Sequence, residues 1–411
     1  MVILSVGGSR FVSRFSSKLS QIPSRNDFVS RLRVGRARTA ILAGIVVFTA
    51  AGWIAAWSGF TTHSKKQIFR VSGFSMAPTL CGDHQIIRCP GCRIEMKVAA
   101  ESASTLIASG RQVTCWHCGE KRKYDSAAVQ GDWVAGDLVE VTPIESNAEN
   151  PLRIGDMIAV DLEGQLRVKR ILALPGDVVS LDERRLCVNG KRLELQLAES
   201  ADNRSGTLID VDIDRHRSIS RWARATDPEF SDWLVYHPQS VYEHSRPSEI
   251  YDDYPCNVDV IRRLDPVDQL AVSLSLSVAA TIDVAFYSAD GTRVATRNLA
   301  ANELATFSVG TSSMVGTDEP QSTISLTSKT PLAIRVRGAA AARDIVEDLR
   351  VRRSIEYRLR SRDSVAAYPL TLKQDECFIV GDNVPISVDS RDFGPLPIKS
   401  IVGVARRLTP Q

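Results

Sequence analysis

Three short stretches, far apart in the 411-residue chain, hold the side chains best suited to hydrolytic chemistry. In VSGFSMAPTL, residues 71–80, Ser75 lies two residues after Gly73 and three before Pro78. Glycine and proline around a hydroxyl specify a fixed, exposed turn rather than a strand interior, where a serine is either a nucleophile or an ordinary solvated turn residue. In GQLRVKRILALPGDVVSL, residues 164–181, an alternating strand ends in a Pro-Gly-Asp turn. Alternation puts Lys169 on one face with Ile171 and Ala173, and Val168 and Arg170 on the other. If the first face is the buried one, desolvation disfavours the ammonium form and draws the amine from about 10.4 toward neutrality, which suits a general base. On a solvated face the same lysine is only a charge. In CFIVGDNVPISVDSRDFGPLP, residues 377–397, an apolar strand enters a polar loop. There Ser387 and Ser390 can exchange hydrogen bonds, and Asp389 and Arg391 can pair and pin the loop, whether or not it serves catalysis.

Together the three stretches resemble the boxes of type I signal peptidases, membrane-anchored serine proteases that remove signal peptides. SGFSMAPTL is similar to the nucleophile box, RVKRILALPGD to the general-base box, and GDNVPISVDSRDFG to the final Gly-Asp-Asn…Ser-x-Asp-Ser-Arg box. The resemblance implies that Ser75 is the nucleophile and Lys169 the general base, that Ser387 holds the lysine amine, and that Asp389 with Arg391 stiffens the loop. It implies an oxyanion hole using the Ser75 backbone N–H, and substrates that are preproteins with small residues, Ala-x-Ala, before the cut. No small-molecule cofactor enters this chemistry. Two positions depart from the pattern. Gly73 stands where many members have a second oxyanion-donor serine, and Ala173 replaces the first glycine of Gly-x-Pro-Gly-Asp, which matters if φ there is positive. Met76 and Phe74, beside the nucleophile, are expected to touch lipid.

The elements that must position these groups read as mainly β. Short β-branched runs such as VVSL, LAVSLSLSV, TIDVAFY and TISL are broken by Gly, Pro and Asp, and few segments hold a helical period. The fold expected is an N-terminal transmembrane helix followed by a signal-peptidase-like antiparallel β catalytic core carrying two inserts. A chain with 44% hydrophobic and 24% charged residues is not disordered as a whole.

The net charge is +3, yet residues 1–38 alone carry +7, from eight basic residues against Asp27, and the remainder is −4. A nucleic-acid enzyme carries its positive charge on the folded domain, so no nucleic-acid partner is expected. Next to this tail, TAILAGIVVFTAAGWIAAWSG, residues 39–59, is uncharged and long enough to cross a hydrocarbon layer of roughly 30 Å. Trp53 and Trp57 sit near one end as interfacial anchors do. The run is longer than a signal-peptide core and ends in no convincing small-x-small cleavage site, which favours a retained anchor over a cleaved leader. The basic flank then predicts a single-pass protein of the cell (inner) membrane in contact with the lipid bilayer, its N-terminus cytoplasmic and its catalytic domain extracytoplasmic.

Cys89 and Cys92, in CPGC, and Cys115 and Cys118, in CWHC, form two C-x2-C knuckles separated by 22 residues, with Gly119 after the second. This spacing points to a zinc-ribbon-like insert over 85–124 with a structural zinc on four thiolates. An oxidising compartment would instead favour two disulfides, although a bridge across x2 closes a tight loop. Residues 199–365 form a long second insert whose latter half, from LAVSLSLSV to TISLTS around a turn at Asp290-Gly291, suggests a β-sandwich or meander. The arginine-rich 335–362 reads as a helix or simply a solvated face. The organisation expected is a tail (1–38), a membrane helix (39–59), core segments (66–84, 129–198, 366–411) and the two inserts. Alternatives are a related Ser/Lys protease with a pilin- or transfer-type substrate, or a non-catalytic surface binding protein on a peptidase scaffold.

Overall fold

The computed structural model describes residues 4–6, 66–124, 132–144, 152–199, 208–214, 220–243, 245–308, 324–338 and 342–408. The fold is mainly β. Its central element is an eight-stranded antiparallel sheet in the order Leu4–Val6, Gln67–Val71, Leu138–Pro143, Ile401–Arg407, Met157–Leu162, Gln165–Ala173, Glu376–Val380 and Leu396–Pro397. Chain segments from both ends of the sequence therefore alternate across one sheet.

The strand Gln165–Ala173 lies between two neighbours. Lys169 is opposite Ile158 on one side, and Arg170 is opposite Val380 on the other. Every residue from Val168 to Ala173 is buried, so simple alternation into a wet and a dry face does not hold: both faces of this strand are covered. Val168 packs with Phe69, Val71, Met76 and Leu80, which brings the strand of Lys169 against the turn of Ser75. A register shift between Ile171 and Ala173 passes the chain into a second core, where Leu172 and Ala173 meet Phe74, Phe378 and Val384.

Residues 84–123 form two hairpins, His84–Arg88 with Glu95–Ala99 and Gln112–Thr114 with Lys121–Lys123, separated by the helix Ala100–Ser109. Each C-x2-C knuckle sits at a hairpin tip. Farther along, a four-stranded sheet (Leu208–Ile213, Val346–Ser354, Leu270–Leu276, Ala305–Ser308) faces a five-stranded one (Trp222–Arg224, Leu234–Tyr236, Leu332–Val336, Ala280–Ser288, Gly291–Leu299). Their inward side chains, including Val272, Leu274, Val284, Phe286, Ile334 and Val351, share one cluster, the arrangement of a β-sandwich.

Several expectations need correction. The arginine-rich 335–362 is neither one helix nor a solvated face: among its described residues only Ala342–Ile345 is helical, and Val346–Ser354 is a strand. Its arginines find acids, Arg352 on Asp210 at 2.9 Å and Arg335 on Asp283 at 2.8 Å, while Arg353 is buried. The described part of TISL, residues 324–326, forms no strand, and the isolated bridge Thr327–Thr330 follows it. The single-pass membrane placement is also corrected. Among the described residues no helix is long and apolar enough to cross a membrane. The ten-residue Ala100–Ser109 spans about 15 Å, half of what a hydrocarbon layer requires. Residues 39–59 and, apart from the strand Leu4–Val6, residues 1–38 lie outside the described residues.

Candidate active site

The strand Gln67–Val71 delivers the chain into a tight turn at residues 72–80. Ala77 N–H donates to Phe74 O at 3.0 Å and Leu80 N–H to Met76 O at 2.9 Å. The turn is held close to neighbouring backbone: a Cβ on Gly82 would lie 2.1 Å from Ser72 O and 2.6 Å from Gly73 N. Only glycine permits that approach. The turn is buried rather than exposed. Ser75 and Gly73 are covered, Phe74 enters the core beside Leu172 and Phe378, and Met76 packs on Val71 and Val168. Both apolar neighbours of the serine are thus core residues and have no surface to offer a lipid.

Lys169 reaches the turn from below. Its Nζ donates to Ser75 Oγ at 3.1 Å and to Ser387 Oγ at 2.8 Å, although 94 and 218 residues separate the partners. The lysine is 1% exposed. Burial lowers its pKa to about 8, Asp389 opposes the shift, and Arg391 and Arg167 add to it. A buried ammonium without a direct carboxylate partner is disfavoured against the neutral amine.

Ser387 is fixed by the loop after Glu376–Val380. Its N–H donates to Asn383 O at 3.0 Å. Asp389 takes both Arg391 Nε and Nη2, at 2.8 and 2.7 Å, and also accepts from Gly381 N–H at 2.9 Å. It caps the short helix Ser390–Phe393 in a reciprocal capping box with Asp392. The charge of Arg391 holds the Asp389 carboxyl far below the ordinary carboxylate range despite its burial. A Cβ on Gly381 would fall 2.2 Å from Ser387 Oγ and 2.5 Å from Ser75 O, so a glycine is required where the loop crosses the serine turn. Ala173 lies in a strand and is absent from the positive-φ positions, and its methyl is accommodated in the core.

A second buried group, not assigned from the sequence, underlies the first. Arg170 Nε and Nη2 donate to Asp382 at 2.8 and 2.6 Å, and its Nη1 donates to Gly155 O at 2.6 Å. Tyr357 Oη donates to Asp382 at 2.7 Å and Thr79 Oγ1 donates to the same carboxylate. The signal was present in the RVKR and GDN strings, but the pairing across 212 residues has no local signature.

The four Cys Sγ atoms lie within 4.8 Å of one another, with Cys89–Cys118 at 3.5 Å and Cys92–Cys115 at 3.6 Å. Four thiolates about 2.3 Å from a zinc ion stand about 3.8 Å apart, whereas a disulfide needs about 2.05 Å. All eight cysteines are free thiols. Backbone N–H groups of Gly91 and Cys92 face Cys89, and those of His117 and Cys118 face Cys115, and hydrogen bonds of this kind stabilise the thiolate form that binds a cation. Burial pushes Cys92 up to about 11, a cost that a bound cation offsets. The cluster fits a structural zinc held by Cys89, Cys92, Cys115 and Cys118.

A family model, signal peptidase, peptidase S26, matches residues 41–234 and 333–409. No curated protein matches the chain. Peptidases of this family are serine peptidases that need no cofactor for catalysis. With a mainly β core, the three boxes converging on one turn, and a family match over most of its length, the chain belongs to the signal peptidase family, peptidase S26.

Proposed function

We propose that the chain is a serine endopeptidase that removes signal peptides from preproteins after small-x-small motifs such as Ala-x-Ala, with Ser75 as nucleophile and Lys169 as general base. The observation that carries this reading is the desolvated amine of Lys169 bonded at once to the hydroxyls of Ser75 and Ser387. Near neutral pH a useful fraction of that amine is uncharged and can take the Ser75 proton as Oγ attacks the scissile carbonyl. The resulting ammonium returns a proton to the leaving amine. The lysine then activates the water that hydrolyses the acyl-enzyme. Charge on the tetrahedral intermediate develops where the Ser75 N–H can receive it. Ser387 orients the amine, and Asp389 with Arg391 fixes Ser387. Ser75 and Lys169 are 0% and 1% exposed, so neighbouring groups must move aside for a substrate carbonyl to arrive.

In this reading the catalytic core comprises 66–84, 129–198 and 366–411, interrupted by the ribbon at 85–124 and the β-rich domain at 199–365. The test is cleavage of a labelled Ala-x-Ala preprotein by the full chain. Wild type should cut once, after the second alanine. Ser75→Ala and Lys169→Ala should lose at least about a thousandfold, the scale on which residues acting as a unit fail. Equal cleavage of a preprotein with bulky residues at the two small positions, or an active Lys169→Ala, would overturn the proposal. A folded but inert wild type would favour a non-catalytic binding role for the same scaffold.

A further inference from the structure

The second insert contributes to the machinery around Ser75 through a segment without regular structure. Residues 235–332 fall outside the family match, yet Tyr254 and Cys256, within that stretch, are buried in the same cluster as Phe74, Ala77 and Val384. Beside them, the side-chain amides of Asn257 and Asn383 form a reciprocal pair. Asn257 Nδ2 donates to Asn383 Oδ1 at 2.7 Å, and Asn383 Nδ2 donates to Asn257 Oδ1 at 2.8 Å. Asn383 spends its other amide hydrogen on Phe74 O at 3.0 Å, and its backbone N–H reaches Ser75 O at 3.0 Å. Tyr254 Oη donates to Asp382 O at 2.9 Å and receives Val384 N–H at 3.4 Å. The 382–384 loop is thus held from the insert side at three consecutive residues.

This arrangement bears on the direction of one backbone donor. The Phe74–Ser75 peptide is a planar trans unit, as almost every non-proline peptide is, so its C=O and N–H point in opposite directions. Phe74 O is held by two donors, Ala77 N–H and Asn383 Nδ2. Fixing that oxygen fixes where the Ser75 N–H points. The Asn383 amide can serve Phe74 O only while its oxygen faces a donor, and Asn257 supplies that donor. In the reversed orientation Asn383 Oδ1 would face the Phe74 carbonyl oxygen, two acceptors in contact.

We infer that Asn257 is a positioning residue of the peptidase: acting through Asn383, it aims the Ser75 backbone N–H at the oxygen on which negative charge develops. The inference rests on the catalytic reading proposed above. The insert is then required for full catalytic rate and is more than a module packed on the core.

The experiment measures kcat and KM of the full chain on the Ala-x-Ala preprotein for wild type, Asn257→Ala, Asn383→Ala, the double variant and Tyr254→Phe, with Ser75→Ala as blank. Asn257→Ala should lower kcat about tenfold at unchanged KM and leave the acid limb of the pH profile where Lys169 sets it. The double variant should be no slower than Asn383→Ala alone, because the two side chains act as one unit. The non-additivity shows that Asn257 acts through Asn383, and the fall in kcat at unchanged KM is what a merely structural role would not produce. Tyr254→Phe keeps the packed ring and should lower kcat about threefold; it carries the test if Asn257→Ala does not fold. Wild-type kcat in both Asn257→Ala and Tyr254→Phe, or additive losses in the double variant, would overturn the inference and leave the Ser75/Lys169 reading intact. Activity of wild type no greater than the Ser75→Ala blank would overturn both.

Discussion

Replacing Lys169 with methionine should abolish cleavage and make the chain more stable at neutral pH. The lysine amine is lowered from 10.5 to about 8, with burial as the largest cause. At about 1.4 kcal/mol per unit of pKa, the folded state disfavours the ammonium by about 3 kcal/mol. The sign follows from proton binding. Between pH 8 and 10.5 the unfolded chain holds this proton more tightly than the folded one, so stability rises with pH across that window. The contribution is fully present above the unfolded value and is lost as pH falls through about 8. Methionine fills similar volume with no charge, but it strips a partner from Ser75 Oγ and Ser387 Oγ, at a cost of about 1 kcal/mol each. The expected net gain at pH 7 is therefore about 1 kcal/mol. Urea unfolding of the full chain and of Lys169→Met at a series of pH values from 7 to 11 measures it. The stability of wild type relative to the variant should rise by about 3 kcal/mol across this series, reversing the order of the two at the alkaline end. The acid limb of wild-type kcat/KM should lie near pH 8, falling about tenfold per unit below it. A stability difference that does not vary with pH would refute the reasoning, because it would mean the lysine titrates alike in the folded and unfolded chains.

Two other outcomes follow from the geometry. The purified chain should carry one zinc per molecule, and Cys115→Ser should remove it and lower the unfolding midpoint of the ribbon, whose core of Ile94, Met96, Leu106 and Val113 surrounds the thiols; metal analysis with calorimetry reads both, and a metal-free, unshifted wild type would sink the assignment. Gly381→Ala should cost about 2 kcal/mol in stability and at least about a hundredfold in kcat, since its Cβ would overlap Ser387 Oγ and Ser75 O and overpacking a rigid site forces backbone shifts; unfolding and steady-state kinetics check it, and a variant with wild-type kcat would show that the loop relaxes away.

The three boxes could be recognised in the sequence because each is a contiguous string whose residue types are set by its own turn. The Ser-x-Asp-Ser-Arg run shows this best: Asp389 caps the helix that starts at Ser390 and pairs with Arg391 two residues on, so the whole device is local. The cysteine knuckles are equally local, each occupying one hairpin tip. What was not legible depends on burial and on distant partners. Alternation implied a wet and a dry face for Gln165–Ala173, but a strand in the middle of a sheet covered on both sides has no wet face. The Gly/Pro signal of the serine turn was correct about the turn and wrong about exposure, because the turn lies beneath two core clusters. Arginine density at 335–362 suggested a solvated face, but partners on other strands, Asp210 and Asp283, are far away in sequence.

The strand that carries Lys169 shows how much of the chemistry is decided by those distant partners. Lys169 and Arg170 are adjacent cations, both buried, and nothing in the string RVKR distinguishes their fates. Arg170 receives a full counter-charge in Asp382, with the hydroxyls of Tyr357 and Thr79 completing that carboxylate's bonds, and its pKa is driven upward. Lys169 receives only the hydroxyls of Ser75 and Ser387, while the acid that acts on it most strongly, Asp389, is already committed to Arg391. Charge compensation makes one cation a permanent strut, and its absence leaves the other able to give up its proton near pH 8. The same burial acts on both; the different partners, chief among them Ser387 and Asp382 of one loop more than two hundred residues downstream, decide which of the two can accept a proton.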